Sequence, residues 1–479
     1  MKKVIAISSA CILLLTVFLT GCQVRSKGNI ATNSNQNNAS MNAKVSENNT
    51  SVVSSTASSP DTSEDLTELE ESPTPEEMSY KTDASKLIEV IEETHASFAV
   101  QKAPKDYAQA KEDYINAIND NTSLEEFKQL TKKFLAVFQD GHTHMRYSQE
   151  GPFAKLNCMA DGKNIYLQNE EGEITTARLI KLGGVSVEKI AQLVDEYYPA
   201  ENESARNLIH SFQILEQHNL ELAGCEFTAD GILAEIEDNG VRSVQIIPFV
   251  SYEETSRSQI YQYDAVPIES CRMDDIYYID MNSCMIEEDL MKEQLNQLHT
   301  ALEDGITKYI IDVRNNDGGY SDNCIAILNE LGMSIPEYGF TLRYSPLVAK
   351  TRQITQTTGF DTYSRLLSCA KPNDAISLVV LTNEYTFSAA TMLGVYVQDG
   401  KLGTVIGRKS ANAPSCYSDN VIYQMEYSGC YVQIASSYLL RPDRNANQDT
   451  LVPDIETELG EDSLKRAIAF LNGENNSDK

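Results

Sequence analysis

The chain has 479 residues, which is enough for two or three domains, and a formal net charge of −31 from 39 basic and 70 acidic residues. Phosphate binding requires a basic surface, so this charge argues against a nucleic-acid partner. The ten cysteines are scattered without any C-x-x-C pair, which argues against a zinc site.

The N-terminus has the pattern of a secretory signal. Lys2 and Lys3 precede an apolar run over 4–20, which ends in the sequence LTGC at 19–22. The LTGC ending resembles a bacterial lipobox, and this resemblance implies a lipoprotein signal over 1–22 and a lipid on Cys22. We therefore expect an extracytoplasmic protein that Cys22 anchors to the bacterial cell membrane. The alternative is an uncleaved membrane anchor.

Residues 23–79 are rich in Ser, Thr, Asn, Glu and Pro and almost lack large apolar side chains. Such a segment cannot bury enough apolar surface to offset the entropy of ordering, so it predicts a disordered tether.

Residues 80–145 read as a helical segment. In SLEEFKQLTKKFLAVF, Ser123 and Glu126 have the spacing of a capping box. Apolar residues recur on one face of this helix, which predicts a core contact: Leu124, Phe127, Leu130, Phe134, Leu135 and Phe138. The helix is expected to stop at QDGHTHM.

Residues 146–256 change to short alternating strands such as NIYLQNE and ARLIKLGG, with one helix in SVEKIAQLVDEYY. The pattern predicts a small β-rich module without chemistry of its own.

Residues 257–479 alternate apolar strands with helices, which is typical of a mainly parallel sheet covered on both faces. The strands are IYYIDM, KYIIDV and AISLVVLT, and the helices EEDLMKEQLNQLHTALED and NCIAILNEL. Reactive groups in such sheets lie just beyond the carboxyl ends of the strands. Two strand ends carry unusual sequences, RNNDGG at 314–319 and NEYTFSAATML at 383–393. Ser388 in the second could either cap the following helix or act as a nucleophile there.

The motifs IIDVRNNDGG, LTNEYTFSAATMLG and DGHTH, in this setting, closely resemble the C-terminal-processing (tail-specific) and tricorn-core family of serine peptidases. With TVIG and LVPDI near the end, the resemblance covers roughly 80–471. It implies a crotonase/ClpP-like α/β catalytic domain. It also implies that the β-rich module occupies the position of the PDZ-like module often present in the family.

The resemblance assigns roles to the two strand ends. Ser388 would be the nucleophile, and Gly318 or Gly319 would form the oxyanion hole with the backbone N–H of Ala389. Two such donors facing a tetrahedral oxyanion lower the barrier by several kcal/mol, since each is worth roughly 10²–10³-fold in rate.

Family members differ in the general base. One branch uses a lysine, but in GRKSANA Ala413 stands at that position and Lys409 is out of register. The other branch uses a histidine in a segment such as DGHT, which here is His142, with His144 as the alternative. A histidine pKa near 6.5 suits a base that works around neutral pH.

The orienting acid is the least defined member of the site. The family's glutamate lies upstream of a G-V-x-P-D segment, which reads NQDTLVPD here, so Asp449 is the candidate although Thr450 replaces the glycine. Thr391 stands where a glutamate often follows the serine. These departures favour, as a second hypothesis, a non-catalytic lipoprotein that binds peptides or envelope ligands on the same fold.

The prediction is therefore a lipid-anchored extracytoplasmic serine endopeptidase that cleaves exposed or unfolded polypeptides, with no cofactor and no metal. A solute-binding lipoprotein would share the lipobox and tether but leaves the three motifs unexplained.

The polar loop 443–454 has calcium-like spacing but lacks the glycine and final glutamate of a calcium loop, which favours a surface turn. Cys416 and Cys430 flank a predicted hairpin, and both a disulfide and free thiols remain open.

Overall fold

The computed structural model describes residues 78–100, 103–146, 151–255, 266–363 and 370–474. The predicted signal over 1–22, its lipidation site Cys22 and all but the last two residues of the predicted tether lie outside these ranges. None of the helices within them is both long and apolar enough to cross a membrane.

The N-terminal segment forms four helices and a short strand: α1 (Tyr80–Thr94), α2 (Ser97–Val100), α3 (Tyr107–Ala117), α4 (Leu124–Ala136) and β1 (His144–Arg146). The predicted capping box of α4 is confirmed, because Ser123 Oγ accepts the N–H of Glu126 and the Glu126 carboxylate accepts the N–H of Ser123. Phe127 and Phe134 are buried as predicted. Leu124 is 41% exposed, since the first residue of the helix lies beyond the packed face.

The middle region is richer in helix than the sequence predicts. Its strands are β2 (Phe153–Ala154), β3 (Cys158–Asp161), β4 (Asn164–Gln168), β5 (Ile174–Leu182), β6 (Val185–Ser186), β7 (Phe227–Thr228), β8 (Gly231–Asp238), β9 (Val241–Ile247) and β10 (Phe249–Val250). Three helices interrupt them: α5 (Val187–Val194), α6 (Glu203–Gln213) and α7 (Gln217–Leu222). Seven of the strands form one antiparallel sheet, and β2 pairs with β10.

The expectation of a single helix in this region is wrong. Helix α6 begins at an N-cap, Asn202, whose side chain accepts the N–H of Ala205. Its apolar residues Leu208, Ile209 and Phe212 recur at helical spacing and pack as partly buried side chains. These start and periodicity signals are present in the sequence, but strand-like stretches lie on both sides of them.

The C-terminal region is α/β. Its elements are β11 (Ile268–Met273), β12 (Ile276–Met281), α8 (Glu288–Glu303), β13 (Lys308–Asp312), α9 (Ser321–Glu330), β14 (Gly339–Arg343), α10 (Pro346–Arg352), β15 (Phe360–Tyr363), β16 (Ser377–Thr382), α11 (Ala389–Gly400), β17 (Thr404–Gly407), β18 (Tyr417–Gln424), β19 (Tyr431–Leu440), β20 (Ile455–Glu456) and α12 (Ser463–Leu471).

A six-stranded sheet in the order β11-β12-β13-β16-β17-β20 forms the centre of this region. Only the β11–β12 pair is antiparallel. Along β13, Ile311 faces the core formed with α8, α9 and α11, whereas Ile310 faces the core formed with α12. Burial on both faces explains the near-continuous apolar runs of these strands. The predicted mixed α/β class is confirmed, while the crotonase/ClpP-like core and the PDZ-like module remain predictions.

A second, antiparallel sheet pairs β1 of the N-terminal segment with strands of the C-terminal region. Its order is β1-β19-β14-β15, with β18 on the other side of β19. Strand β1 pairs with β19 so that His144 lies opposite Gln433. The helices α1, α3 and α4 pack on this sheet in one apolar core that includes Val432 and Ile434. The turn after α4 is therefore fixed beside the C-terminal region.

Candidate active site

Ser388 lies where the chain leaves β16 and enters α11. Its backbone has φ 51° and ψ −122°, a conformation that residues other than glycine rarely adopt. The hydroxyl makes no capping hydrogen bond to α11. Of the two interpretations of this serine, helix cap and reactive group, the structure therefore disfavours the first.

Neighbouring parallel strands hold the loop before Ser388 in place. The loop after β16 and the loop after β13 are linked by four hydrogen bonds: Asn315 N–H to Asn383 Oδ1 at 3.0 Å, Asn383 Nδ2 to Asn315 Oδ1 at 2.8 Å, Thr386 Oγ1 to the Val313 carbonyl at 2.9 Å and Phe387 N–H to the Asn316 carbonyl at 2.9 Å. These hydrogen bonds stabilise the strained backbone conformation of Ser388.

His142 lies 246 positions before Ser388, in the N-terminal segment. It follows α4 in the turn that leads into β1, and the pairing of β1 with β19 fixes its main chain. Gln433 Nε2 donates to the carbonyl of His142 at 3.2 Å, and the Ala435 N–H donates to Thr143 Oγ1 at 3.0 Å.

The imidazole of His142 contacts the hydroxyl of Ser388. Nε2 lies 3.2 Å from Ser388 Oγ, although the two residues are 246 positions apart in sequence. His142 is 5% exposed and Ser388 9%. The ring of Phe387 packs against the imidazole with ring centroids 4.8 Å apart. A base within hydrogen-bond reach of a hydroxyl at a strand end is the geometry that activates a serine nucleophile.

Two carboxylates flank the other ring nitrogen. His142 Nδ1 lies 3.9 Å from Asp140 Oδ1 and 4.0 Å from Glu201 Oε1, beyond direct hydrogen-bond distance. Within the described residues, Nδ1 is buried without a hydrogen-bond partner. Asp140 itself accepts the His142 N–H at 2.9 Å and lies 3.3 Å from His95 Nε2.

Burial and the neighbouring charges shift the pKa values of all three groups. It lowers the pKa of His142 below the ordinary 6.5, although the charge of Asp140 acts in the opposite direction. Burial would raise the pKa of Asp140, but the hydrogen bond and charge of His95 and the charge of His142 outweigh it and lower that pKa. Burial together with the charge of Asp140 raises the pKa of Glu201 to about 8. Near neutral pH, the negative charge beside His142 therefore resides mainly on Asp140.

Glu201 connects the two reactive segments. It lies just before α6 in the middle region, where the sequence predicts no chemistry. Its Oε1 accepts the Gly141 N–H at 3.0 Å, and its Oε2 accepts Asn412 Nδ2 at 2.8 Å and the Ala413 N–H at 2.7 Å. Asn412 Oδ1 in turn accepts the Ser388 N–H at 2.9 Å. One carboxylate thus joins the turn of His142 to the turn of Ser388.

The paired glycines lie against Ser388. Gly318 has φ +102°, and a Cβ there would come within 2.6 Å of Ser388 Cβ and 3.0 Å of Ala389 N. Gly319 has φ +131°, and a Cβ there would lie 2.6 Å from Met285 N. The Gly318 N–H donates to Asn316 Oδ1 at 2.8 Å. Ala389 is the first residue of α11, so its N–H has no acceptor within the helix.

The acid predicted from sequence, Asp449, does not lie beside His142. Its side chain is exposed, and its carbonyl rather than its carboxylate accepts a hydrogen bond, from Asn202 Nδ2 at 2.8 Å. The next residue turns inward instead, since Thr450 Oγ1 donates to the Ser410 carbonyl at 2.7 Å. The assignment of Asp449 is corrected accordingly: the adjacent carboxylates are those of Asp140 and Glu201.

The other candidates for the base lie away from the serine hydroxyl. His144 Nδ1 lies 3.1 Å from the Gly141 carbonyl, and burial lowers the pKa of His144 to about 4. Lys409 forms a half-exposed ion pair with Glu456 at 3.3 Å. At the position of the family's lysine, Ala413 uses its backbone N–H to hold Glu201.

The other residues singled out from the sequence make contacts that support the fold rather than the Ser388 hydroxyl. Thr391 Oγ1 donates to the Thr386 carbonyl within the buried start of α11. In the polar loop 443–454, the Asp454 carboxylate accepts the Val405 N–H at 2.8 Å, as expected of a surface turn rather than a calcium loop. Neither Cys416 nor Cys430 forms a disulfide.

One group of side chains among the described residues offers metal ligands. Asp140, His142 and Glu201 each present one ligand atom, all within 4.8 Å of one another. Both carboxylate oxygens already accept main-chain N–H groups, from His142 and Gly141. The prediction of a site without a metal remains a prediction.

A serine and a histidine in contact at the end of a mainly parallel sheet have the geometry that serine hydrolases use. Residues 275–457 match the sequence model of peptidase family S41. The α/β region thus carries the sequence pattern of a peptidase family S41 domain, and the class of enzyme that this pattern supports is a serine peptidase.

Solved structures support the same fold. The crystal structure of mature CPAF matches with a TM-score of 0.55 at 13% identity, covering 79% of this chain and 92% of that one. A CPAF mutant matches with a TM-score of 0.56 at 12% identity over 82% and 95%. The photosystem II D1 C-terminal processing protease matches at 13% identity over 81% and 98%, with a TM-score of 0.43 that is too low to carry an argument. A search of curated protein sequences returned no significant match.

Proposed function

We propose that this protein is a lipid-anchored, extracytoplasmic serine endopeptidase that cleaves exposed or unfolded protein segments. The single observation that carries the catalytic part is the 3.2 Å contact between His142 Nε2 and Ser388 Oγ. The match of residues 275–457 to peptidase family S41 supports polypeptides as the substrates. The anchor and the location rest on the LTGC sequence that ends at Cys22.

In the proposed mechanism, Ser388 Oγ attacks the scissile carbonyl while His142 Nε2 takes its proton. The imidazolium then protonates the leaving amine, and water activated by the same nitrogen hydrolyses the acyl-enzyme. The Ala389 N–H, at the positive end of α11, faces the developing oxyanion. Gly318 permits this because any side chain would collide with the peptide that joins Ser388 to Ala389.

We assign two carboxylates to the support of His142. Asp140 carries the charge that stabilises the imidazolium, as its lowered pKa indicates. Glu201 is a positioning residue, since its three accepted N–H groups hold the segments of His142 and Ser388 together. Neither role requires a direct hydrogen bond to Nδ1, and both act through buried groups where charges are weakly screened.

Labelling with a fluorophosphonate tests the catalytic proposal. The folded, tag-purified protein is expected to acquire one covalent phosphonyl group, which peptide mapping should place on Ser388, and to hydrolyse an unfolded protein such as reduced casein. Heat-denatured protein is the control, because reactivity requires the assembled pair. Saturable casein binding with neither labelling nor hydrolysis would instead establish the non-catalytic binding protein.

The pH profile of kcat is expected to have two rises. The neutral imidazole is the base, so kcat should first increase with pH through a midpoint below 6.5, because burial lowers the pKa of His142. Ionisation of Glu201 near pH 8 then adds a second negative charge 4.0 Å from Nδ1, which should stabilise the imidazolium and raise kcat again. Steady-state kinetics between pH 5 and pH 9.5 measure both rises.

Glu201→Gln serves as the control for that profile. The substitution should remove the upper rise and leave the lower one, and an unchanged upper rise would contradict the assignment to Glu201. The same ionisation should lower the free energy of unfolding. Because the folded-state pKa of Glu201, about 8, exceeds the ordinary 4.5, the folded protein binds more protons than the unfolded chain between these two pH values and loses stability as pH rises from the lower to the higher one.

A further inference from the structure

Two cysteine side chains contact each other beside the glycine-containing loop 314–319. Cys284 follows β12 and Cys324 lies in α9, and their sulfur atoms are 3.6 Å apart. Both residues are fully buried, and neither forms a disulfide. The two sulfurs are in van der Waals contact, whereas a disulfide needs a separation of about 2.05 Å.

Each thiol contacts the scaffold of the candidate site. Cys284 Sγ lies 3.6 Å from Asn316 Oδ1, the same oxygen that accepts the Gly318 N–H. Cys324 Sγ lies 3.5 Å from the carbonyl of Ala389, which is the first residue of α11. The main chain of Cys284 also donates its N–H to the Gly318 carbonyl at 2.8 Å. The pair therefore touches both segments that surround Ser388.

We propose that Cys284 and Cys324 are a reversible oxidation site at which a small peroxide forms an intramolecular disulfide. Hydrogen peroxide first converts one thiol to a sulfenic acid and is reduced to water. The second thiol then attacks that sulfur, the S–S bond forms, and a second water molecule leaves. Two thiols and one peroxide thus give one disulfide and two water molecules, and a dithiol reductant reverses the change.

The bond would alter the site for two reasons. Oxidation removes both S–H donors, so Asn316 Oδ1 and the Ala389 carbonyl each lose a contact. In addition, the sulfurs must approach each other by roughly 1.5 Å, and the chain at Cys284 has little room to move independently. The Cys284 N–H donates to the Gly318 carbonyl at 2.8 Å and its carbonyl accepts the Tyr320 N–H at 3.2 Å, so movement there passes to the glycine loop. Resting on the proposed function, this predicts a slower reaction at Ser388.

Peptide mapping after oxidation tests the site itself. Protein purified under reductant is divided into untreated and hydrogen peroxide-treated samples, which are then unfolded and alkylated. The treated sample should yield a linked Cys284–Cys324 peptide that dithiothreitol releases. Cys324→Ser and Cys284→Ser should each abolish the link, and Cys271→Ser, at an exposed free cysteine, should leave it unchanged. Full alkylation of both cysteines after treatment would overturn the proposal.

Fluorophosphonate labelling of the same samples tests the consequence. The linked form should label at least tenfold more slowly than the reduced form, and dithiothreitol should restore the rate. Cys324→Ser keeps a hydroxyl donor for the Ala389 carbonyl and should label at a rate insensitive to peroxide. A linked form that labels at the reduced rate would overturn the regulatory role. Reduced protein that does not label at all would refute the proposed function instead, since the link is measured independently.

Discussion

Replacement of Ser388 by alanine is expected to lower kcat by about 10⁴- to 10⁶-fold, the loss typical of removing a serine nucleophile. His142→Ala should cause a loss of similar size, and the double variant should be no worse than either single one, because the two groups act as a unit. Initial rates on an unfolded protein substrate, with KM measured separately, check this result. KM should change little, since neither substitution removes a surface that binds the rest of the substrate.

The matched control for this prediction is Ser388→Gly. Because Ser388 has φ 51° and ψ −122°, glycine relieves strain that alanine retains. The glycine variant should therefore be inactive. Its free energy of unfolding should exceed that of the alanine variant by about 1 kcal/mol or more. If both variants lose activity only in proportion to lost folding, or if Ser388→Ala keeps wild-type turnover, Ser388 is not the nucleophile.

Replacement of Glu201 by alanine should damage stability and turnover together. The N–H groups of Gly141 and Ala413 and the side-chain amide of Asn412 would lose their acceptor in a buried setting. Each unsatisfied group costs about 1–3 kcal/mol, and water entering the space would recover part of this. We expect a loss of about 3 kcal/mol in the free energy of unfolding, measured in urea, and a fall in kcat of about 10²-fold from the misplaced pair.

Glu203→Ala is the control for that variant. Glu203 lies two residues away in the same region and is exposed, so its replacement should change both quantities by little. A purely structural role for Glu201 would lower the amount of folded protein without altering the pH profile of the folded fraction. Loss of the upper rise in that profile, as expected also for Glu201→Gln, distinguishes positioning of the reactive pair from general stability.

Several features of the site could be predicted because their signals are local. The apolar runs of β13 and β16 and the helical periods between them predict a sheet buried on both faces. The glycines at 318 and 319 are required by their positive φ and by close approach, and both constraints leave a pattern in sequence. The DGHT segment identified the histidine that the structure brings to within 3.2 Å of Ser388 Oγ.

Of the two carboxylates beside His142, Asp140 lies in the DGHT segment itself, whereas Glu201 could not be predicted in the same way. Nothing local marks Glu201, which reads as an ordinary polar residue before the N-cap of α6. Its function depends on the docking of that helix start against 409–413, where Asn202 Nδ2 donates to the Ala411 carbonyl and Ser204 Oγ to the Lys409 carbonyl. Asp449 was favoured by its position near a family motif, yet the chain there presents its carbonyl inward and its carboxylate to solvent.

The sequence by itself determined the class of this protein, the strand ends that carry its reactive residues and the identities of Ser388 and His142 as candidates. Periodicity, turn chemistry and short motifs all act over a few residues, so they survive in a single sequence. Only the tertiary structure decided which carboxylates stand behind His142 and that the middle region completes the site. The contacts of Glu201 join segments far apart in sequence, and their energy comes from burial and hydrogen bonds that exist only after β1 has paired with β19 and α6 has docked.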